Sequence, residues 1–112
     1  MAVITSHTLN GTDGTHAGGI TVTLSRLGQV NEIIFTTAMD DGGRLEQEIA
    51  PNQIDPDATY ELVFETGSFW KQRNISGAMP QIVLRFLMLD QKGKYHMPVI
   101  LNPNSYTVWM SS

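Results

Sequence analysis

Apolar and polar positions alternate along this chain with a period of two, and short turn-forming stretches interrupt them. The clearest case is Ile20 to Arg26, where Ile20, Val22, Leu24 and Arg26 alternate with Thr21, Thr23 and Ser25. That spacing predicts a half-buried β-strand. Ala2 to Leu9 predicts a first strand, with Val3, Thr5, His7 and Leu9 on one face. Glu32 to Met39 is a β-branched run, Arg44 to Ile49 a short strand, and Thr59 to Glu65 carries Tyr60, Leu62 and Phe64 at period two. Gln81 to Leu89 is strongly apolar. The strand from Lys94 puts Tyr95, Met97, Val99 and Leu101 on one face and Lys94, His96, Pro98 and Ile100 on the other. A Pro/Asn turn then leads to a last strand.

The punctuation agrees. Asn10-Gly11-Thr12-Asp13-Gly14, Ala17-Gly18-Gly19, Asp40-Asp41-Gly42-Gly43 and Asp90-Gln91-Lys92-Gly93 are turn signals, and Pro51 to Ala58, with two prolines and two aspartates, reads as loop. Only the segment from Thr66 to Asn74 suits a helix. Ser68 is its expected cap, and Gly77 and Pro80 limit its length. The expectation is a mainly β protein, a sandwich of about eight strands with one short helix, in a single domain over residues 1–112.

Composition narrows the possible partners. The chain has 112 residues, 41% hydrophobic and 16% charged, enough for one core but not two. Its net charge of -4, without a basic stripe, argues against nucleic acid and anionic membrane as partners. With no cysteine there is no disulfide, thiol nucleophile or thiolate metal site. No N-terminal signal pattern and no membrane-length apolar run is present, so a cytoplasmic protein is expected.

Candidate chemistry rests on few groups. Three histidines occur, His7 and His96 in predicted strands and His16 in a Gly-rich loop. No two of them stand at metal-ligand spacing along the chain, so no metal is expected. Arg44 opens a strand directly after the turn at Gly43. Spacing alone gives none of these residues a role beyond hydrogen bonding or solvation, and Trp70 and Trp109 read most simply as packing residues.

A resemblance changes the weights. Tyr95-His96-Met97-Pro98-Val99-Ile100-Leu101-Asn102-Pro103, followed by Ser105-Tyr106-Thr107, resembles the C-terminal signature of the transthyretin-like 5-hydroxyisourate hydrolases. Ser6-His7-Thr8-Leu9-Asn10 resembles that family's N-terminal histidine motif, and Tyr60 to Trp70 its strand–helix block. Pro80 to Leu89 fits the strand feeding the final hairpin, so the likeness runs in order along nearly the whole chain. It implies a transthyretin-like two-sheet β-sandwich assembled as a homotetramer, a dimer of dimers with active sites in the clefts between dimers. The implied reaction is hydrolytic opening of 5-hydroxyisourate, a small-molecule substrate, without metal or organic cofactor. Carried over by position, the catalytic residues are His7, Arg44, His96 and Ser112.

The chain also departs from that pattern. The family's Tyr-Arg-Gly-Ser tail is replaced by Trp109-Met110-Ser111-Ser112, which exchanges a guanidinium for a thioether. The Asp-Gly-Arg turn carries an extra glycine, and Lys94 stands where relatives often have histidine. Trp109, Met110 and Lys94 are therefore expected to line a more apolar and reshaped substrate cleft. Two alternatives follow: another small cyclic substrate opened by the same His/Arg set, or a non-catalytic carrier of an apolar ligand.

Overall fold

The computed structural model describes residues 1–111; Ser112 lies outside them. Eight strands form, β1 (Ala2–Asn10), β2 (Thr21–Arg26), β3 (Glu32–Ala38), β4 (Arg44–Ile49), β5 (Thr59–Phe64), β6 (Ile82–Leu87), β7 (Lys94–Asn102) and β8 (Ser105–Val108). A 3₁₀ turn (Pro51–Gln53) and one helix, α1 (Gly67–Lys71), complete the described elements. The strands make two four-stranded sheets, ordered β4-β1-β7-β8 and β3-β2-β5-β6. No helix among the described residues is long and apolar enough to cross a membrane.

Alternation decides what each sheet hides. On β1 the buried row is Ala2, Ile4, Ser6, Thr8 and Asn10, which leaves Val3, Thr5, His7 and Leu9 half-buried on the outside. On β7 Tyr95, Met97, Val99 and Leu101 enter the core and His96 faces out. The facing sheet supplies Val22, Leu24, Tyr60, Leu62, Phe64, Ile82 and Phe86, so the core lies between the two layers. Buried polar groups in β1 are matched: the Ser6 hydroxyl donates to the Met97 carbonyl at 2.6 Å, and the Thr8 hydroxyl to the Ala17 carbonyl at 2.6 Å.

The helix differs from its sequence-based expectation at its start. It begins at Gly67 with Thr66 as the flanking residue and no side-chain cap. Ser68 sits inside it and donates to the Glu65 carbonyl at 3.3 Å instead of capping free amides. The chain enters the helix with Thr66 already in right-handed conformation, so the extended geometry that a capping side chain needs is absent.

β1 and β7 pair in parallel, from Val3↔Lys94 to Asn10↔Leu101, while every other strand pair is antiparallel. After β8 the tail continues along β7. The register from Val99↔Val108 to His96↔Ser111 stays in step, and His96 and Ser111 exchange two backbone hydrogen bonds of 2.9 and 2.8 Å. Between them the ladder lapses, because Pro98 stands where the next donor should be. Its missing N–H faces the tail and not β1, so the central β1–β7 pairing is intact.

Candidate active site

The outer face of the β4-β1-β7-β8 sheet gathers the residues of interest. His7 and Arg44 are direct cross-strand partners in the β1–β4 ladder, and Thr5 pairs with His96 in the β1–β7 ladder. Positions 5 and 7 share one face of β1, so the two histidines and the arginine meet on one surface although 89 residues separate the histidines along the chain. Thr5, Ser6, Asp40, Arg44, Leu45, Glu46 and His96 line an open hollow of about 290 Å³ there.

Each functional side chain is held by its local backbone. Gly43, buried at φ +71°, makes the turn that launches Arg44; a Cβ at that position would lie 2.5 Å from the Thr8 carbonyl. The Arg44 amide donates to the Asp40 carboxylate at 2.8 Å, the Gly43 amide to the Asp40 carbonyl at 2.9 Å, and the Thr8 amide to the Gly43 carbonyl at 2.7 Å. Of the two adjacent glycines, only Gly43 occupies the left-handed region that excludes most side chains. The exposed Arg44 side chain has no carboxylate partner among the described residues, so its guanidinium is free to meet an anionic or carbonyl-rich ligand.

On β7, His96 Nδ1 lies 2.8 Å from the Thr5 hydroxyl, which fixes the ring's rotation. On β1, His7 Nε2 lies 2.9 Å from His16 Nδ1, with the ring centroids 5.0 Å apart. The His7 pKa is lowered from its ordinary 6.5. Partial burial is the main cause, followed by the positive charge of Arg44 and then His16, with a smaller contribution from His96; a hydrogen bond to the Gly42 carbonyl opposes them. At neutral pH this imidazole is uncharged and matched to proton transfer.

The other expected site residues are placed as follows. Lys94 is exposed at the start of β7, opposite Val3 and two residues from His96 on the same face. Trp109 and Met110 are 46% and 44% exposed in the tail segment that runs beside Pro98 and Met97 before Ser111 closes onto His96. Ser112 lies outside the described residues. His16 was missed as a partner of His7, because spacing along the chain does not reveal that a turn returns it to β1 at the Leu9↔His16 bridge. Thr5 and Asp40 were missed too; the one signal was period two on β1, which places Thr5 beside His7. No group of three or more His, Cys, Asp or Glu side chains among the described residues is arranged to hold a metal ion.

Two four-stranded sheets with a parallel contact between the first and seventh strands, and a His/Arg cluster on one outer face, define a transthyretin-like sandwich. The chain belongs to the HIUase/Transthyretin family, whose model matches residues 4–110. It is 32% identical to the 5-hydroxyisourate hydrolase of Pseudomonas aeruginosa, over 100% of this chain and 93% of that protein. It is 33% identical to the 5-hydroxyisourate hydrolase of Mus musculus, over 97% and 94% respectively. Among solved structures, the 5-hydroxyisourate hydrolase of Klebsiella pneumoniae superposes with a TM-score of 0.83 at 26% identity, covering 100% of both chains.

Proposed function

We propose that this chain is a hydrolase that opens the ring of 5-hydroxyisourate by His/Arg-assisted attack of water. The observation that carries the reading is the convergence of His7, Arg44 and His96 on one face, with Arg44 and His96 lining a single hollow. The naming of the Pseudomonas aeruginosa and mouse relatives supports the choice of substrate.

The chemistry suits the groups. Water adds to a ring carbonyl carbon, the carbon–nitrogen bond of the resulting tetrahedral oxyanion breaks, and the departing nitrogen takes up a proton. One imidazole removes the water's proton, a contribution of roughly 10²–10⁴-fold for a well-placed base. The other orients the water or returns a proton to the nitrogen. The Arg44 guanidinium clamps the substrate's carbonyl oxygens and stabilises the oxyanion. No cofactor enters this scheme. The hollow is open to one side, and a second subunit in a homotetramer, a dimer of dimers, closes it.

The tail favours a second reading, in which the same groups open a different small cyclic substrate. Trp109 and Met110, exposed in the tail segment beside Pro98 and Met97, stand where the family has tyrosine and arginine, although neither lines the hollow itself. Following the decay of freshly generated 5-hydroxyisourate, with and without protein, separates the two. Rates typical of the family support the first; decay no faster than in buffer removes it and leaves the second.

A further inference from the structure

His16 belongs to no motif that carries the family likeness, yet among the described residues its side chain is within hydrogen-bond distance of the His7 ring. Its position is built. The Asn10 side chain accepts from the Thr12 amide at 2.9 Å and its hydroxyl at 2.6 Å, and the Asp13 carboxylate accepts from the Thr15 amide and hydroxyl at 2.9 and 2.7 Å. The Asn10 amide donates to the Thr15 carbonyl, Gly14 to Asn10, and Ala17 to Thr8. These bonds define the path of the turn, and the loop so held delivers the exposed His16 to His7.

Hydrogen-bond arithmetic then constrains both rings. Between His7 Nε2 and His16 Nδ1, 2.9 Å apart, there is room for one hydrogen, so one nitrogen donates and the other accepts. A neutral imidazole has one N–H, so this single bond ties the tautomer of each ring to that of the other.

We propose that His16 is a further positioning residue of this site: it engages Nε2 of His7, fixing that ring's orientation and tautomer, and leaves removal of the water's proton to His96. This rests on the hydrolase reading for its consequence, though not for its geometry. His96 is suited to the task because Thr5 engages only its Nδ1, and the residue lines the hollow together with Arg44. A charge on His7 is opposed by Arg44 from β4, His96 from β7 and His16 from the loop, and favoured only by the Gly42 carbonyl.

The test uses the full chain, with His16→Ala and His16→Asn as variants; Asn keeps a side-chain N–H near the position of His16 Nδ1. Ring ¹⁵N–¹H spectra across pH read the tautomer and titration of His7 directly, whatever the substrate. In the parent, His7 should show a single tautomer and titrate below 6.5. His16→Ala should let both tautomers appear and move the titration upward, and His16→Asn should restore the single tautomer. Ring opening should fall roughly 10-fold to 100-fold in kcat in the alanine variant with KM little changed, the acid limb of the profile moving to higher pH, and should recover in the asparagine variant. An unchanged His7 tautomer and titration in His16→Ala overturns the proposal. If the parent fails to open 5-hydroxyisourate, the functional reading falls, while the spectra still decide the part played by His16.

Discussion

At the scale of single residues, the site is defined by what each group can exchange. His7→Ala, Arg44→Ala and His96→Ala should each lower kcat for ring opening by about 10² or more, from loss of acid–base or electrostatic catalysis. Because all three lie half-buried or exposed on an outer face, the variants should keep the parent's circular dichroism and melting temperature. Near-parental turnover in all three would remove them from the mechanism. His7 also ties stability to pH. Its folded-state titration lies below the ordinary 6.5, so as pH falls below that value the unfolded chain takes up the proton first. Stability should therefore decline through the window between 6.5 and the lower folded value, and level off beneath it as far as this group is concerned. Urea unfolding from pH 7.5 to 4.5 should show His7→Asn with a shallower decline than the parent; parallel curves would show that burial and Arg44 do not discriminate against the imidazolium.

At the scale of elements, the β3–β4 turn carries the most weight. Gly43→Ala forces a Cβ onto the Thr8 carbonyl at a positive φ, so it should destabilise the fold by about 2 kcal/mol or more, measured by denaturant unfolding. Gly42→Ala meets only the end of the Asp40 side chain at 3.5 Å and should cost far less. Equal effects would mean the turn can adopt another path. The same contrast shows what could be read without coordinates. Strand positions were legible because period-two alternation is a local property: Arg44–Ile49 and Thr59–Phe64 lie where Arg44, Tyr60, Leu62 and Phe64 put them. The start of the helix was not, because a serine near a helix end gives no information about whether the preceding backbone is extended. The meeting of His7 with Arg44 is a matter of register, set by the Asp40–Gly43 turn. That of Thr5 with His96 depends on a parallel pairing that periodicity cannot report. His16 was invisible for a third reason: its approach depends on how two Asx-type bonds fold a loop. The family likeness supplied the His/Arg set but said nothing of this neighbour.

At the scale of the whole molecule, the outer face that holds the site also exposes half-buried apolar side chains, Leu9 and Ile100, which are neighbours in the β1–β7 register. Covering that face with other copies of the chain is consistent with the homotetramer proposed above. Light scattering coupled to gel filtration should give about four times the 12.4 kDa chain mass, and a monomer that still turned over substrate would show that one subunit suffices. The parallel ladder between β1 and β7 has a separate consequence for biosynthesis. A nascent chain can pair β1 with β4 soon after β4 leaves the ribosome, but the Thr5–His96 contact must wait for the seventh strand, roughly fifty residues later. Until then β1 presents an open edge on one side, a vacancy that chaperones or a neighbouring polysome product could occupy. Chemical competence is thus acquired only once β7 has emerged, and translational stalling before residue 94 should yield a partly folded sheet with no hydrolytic power.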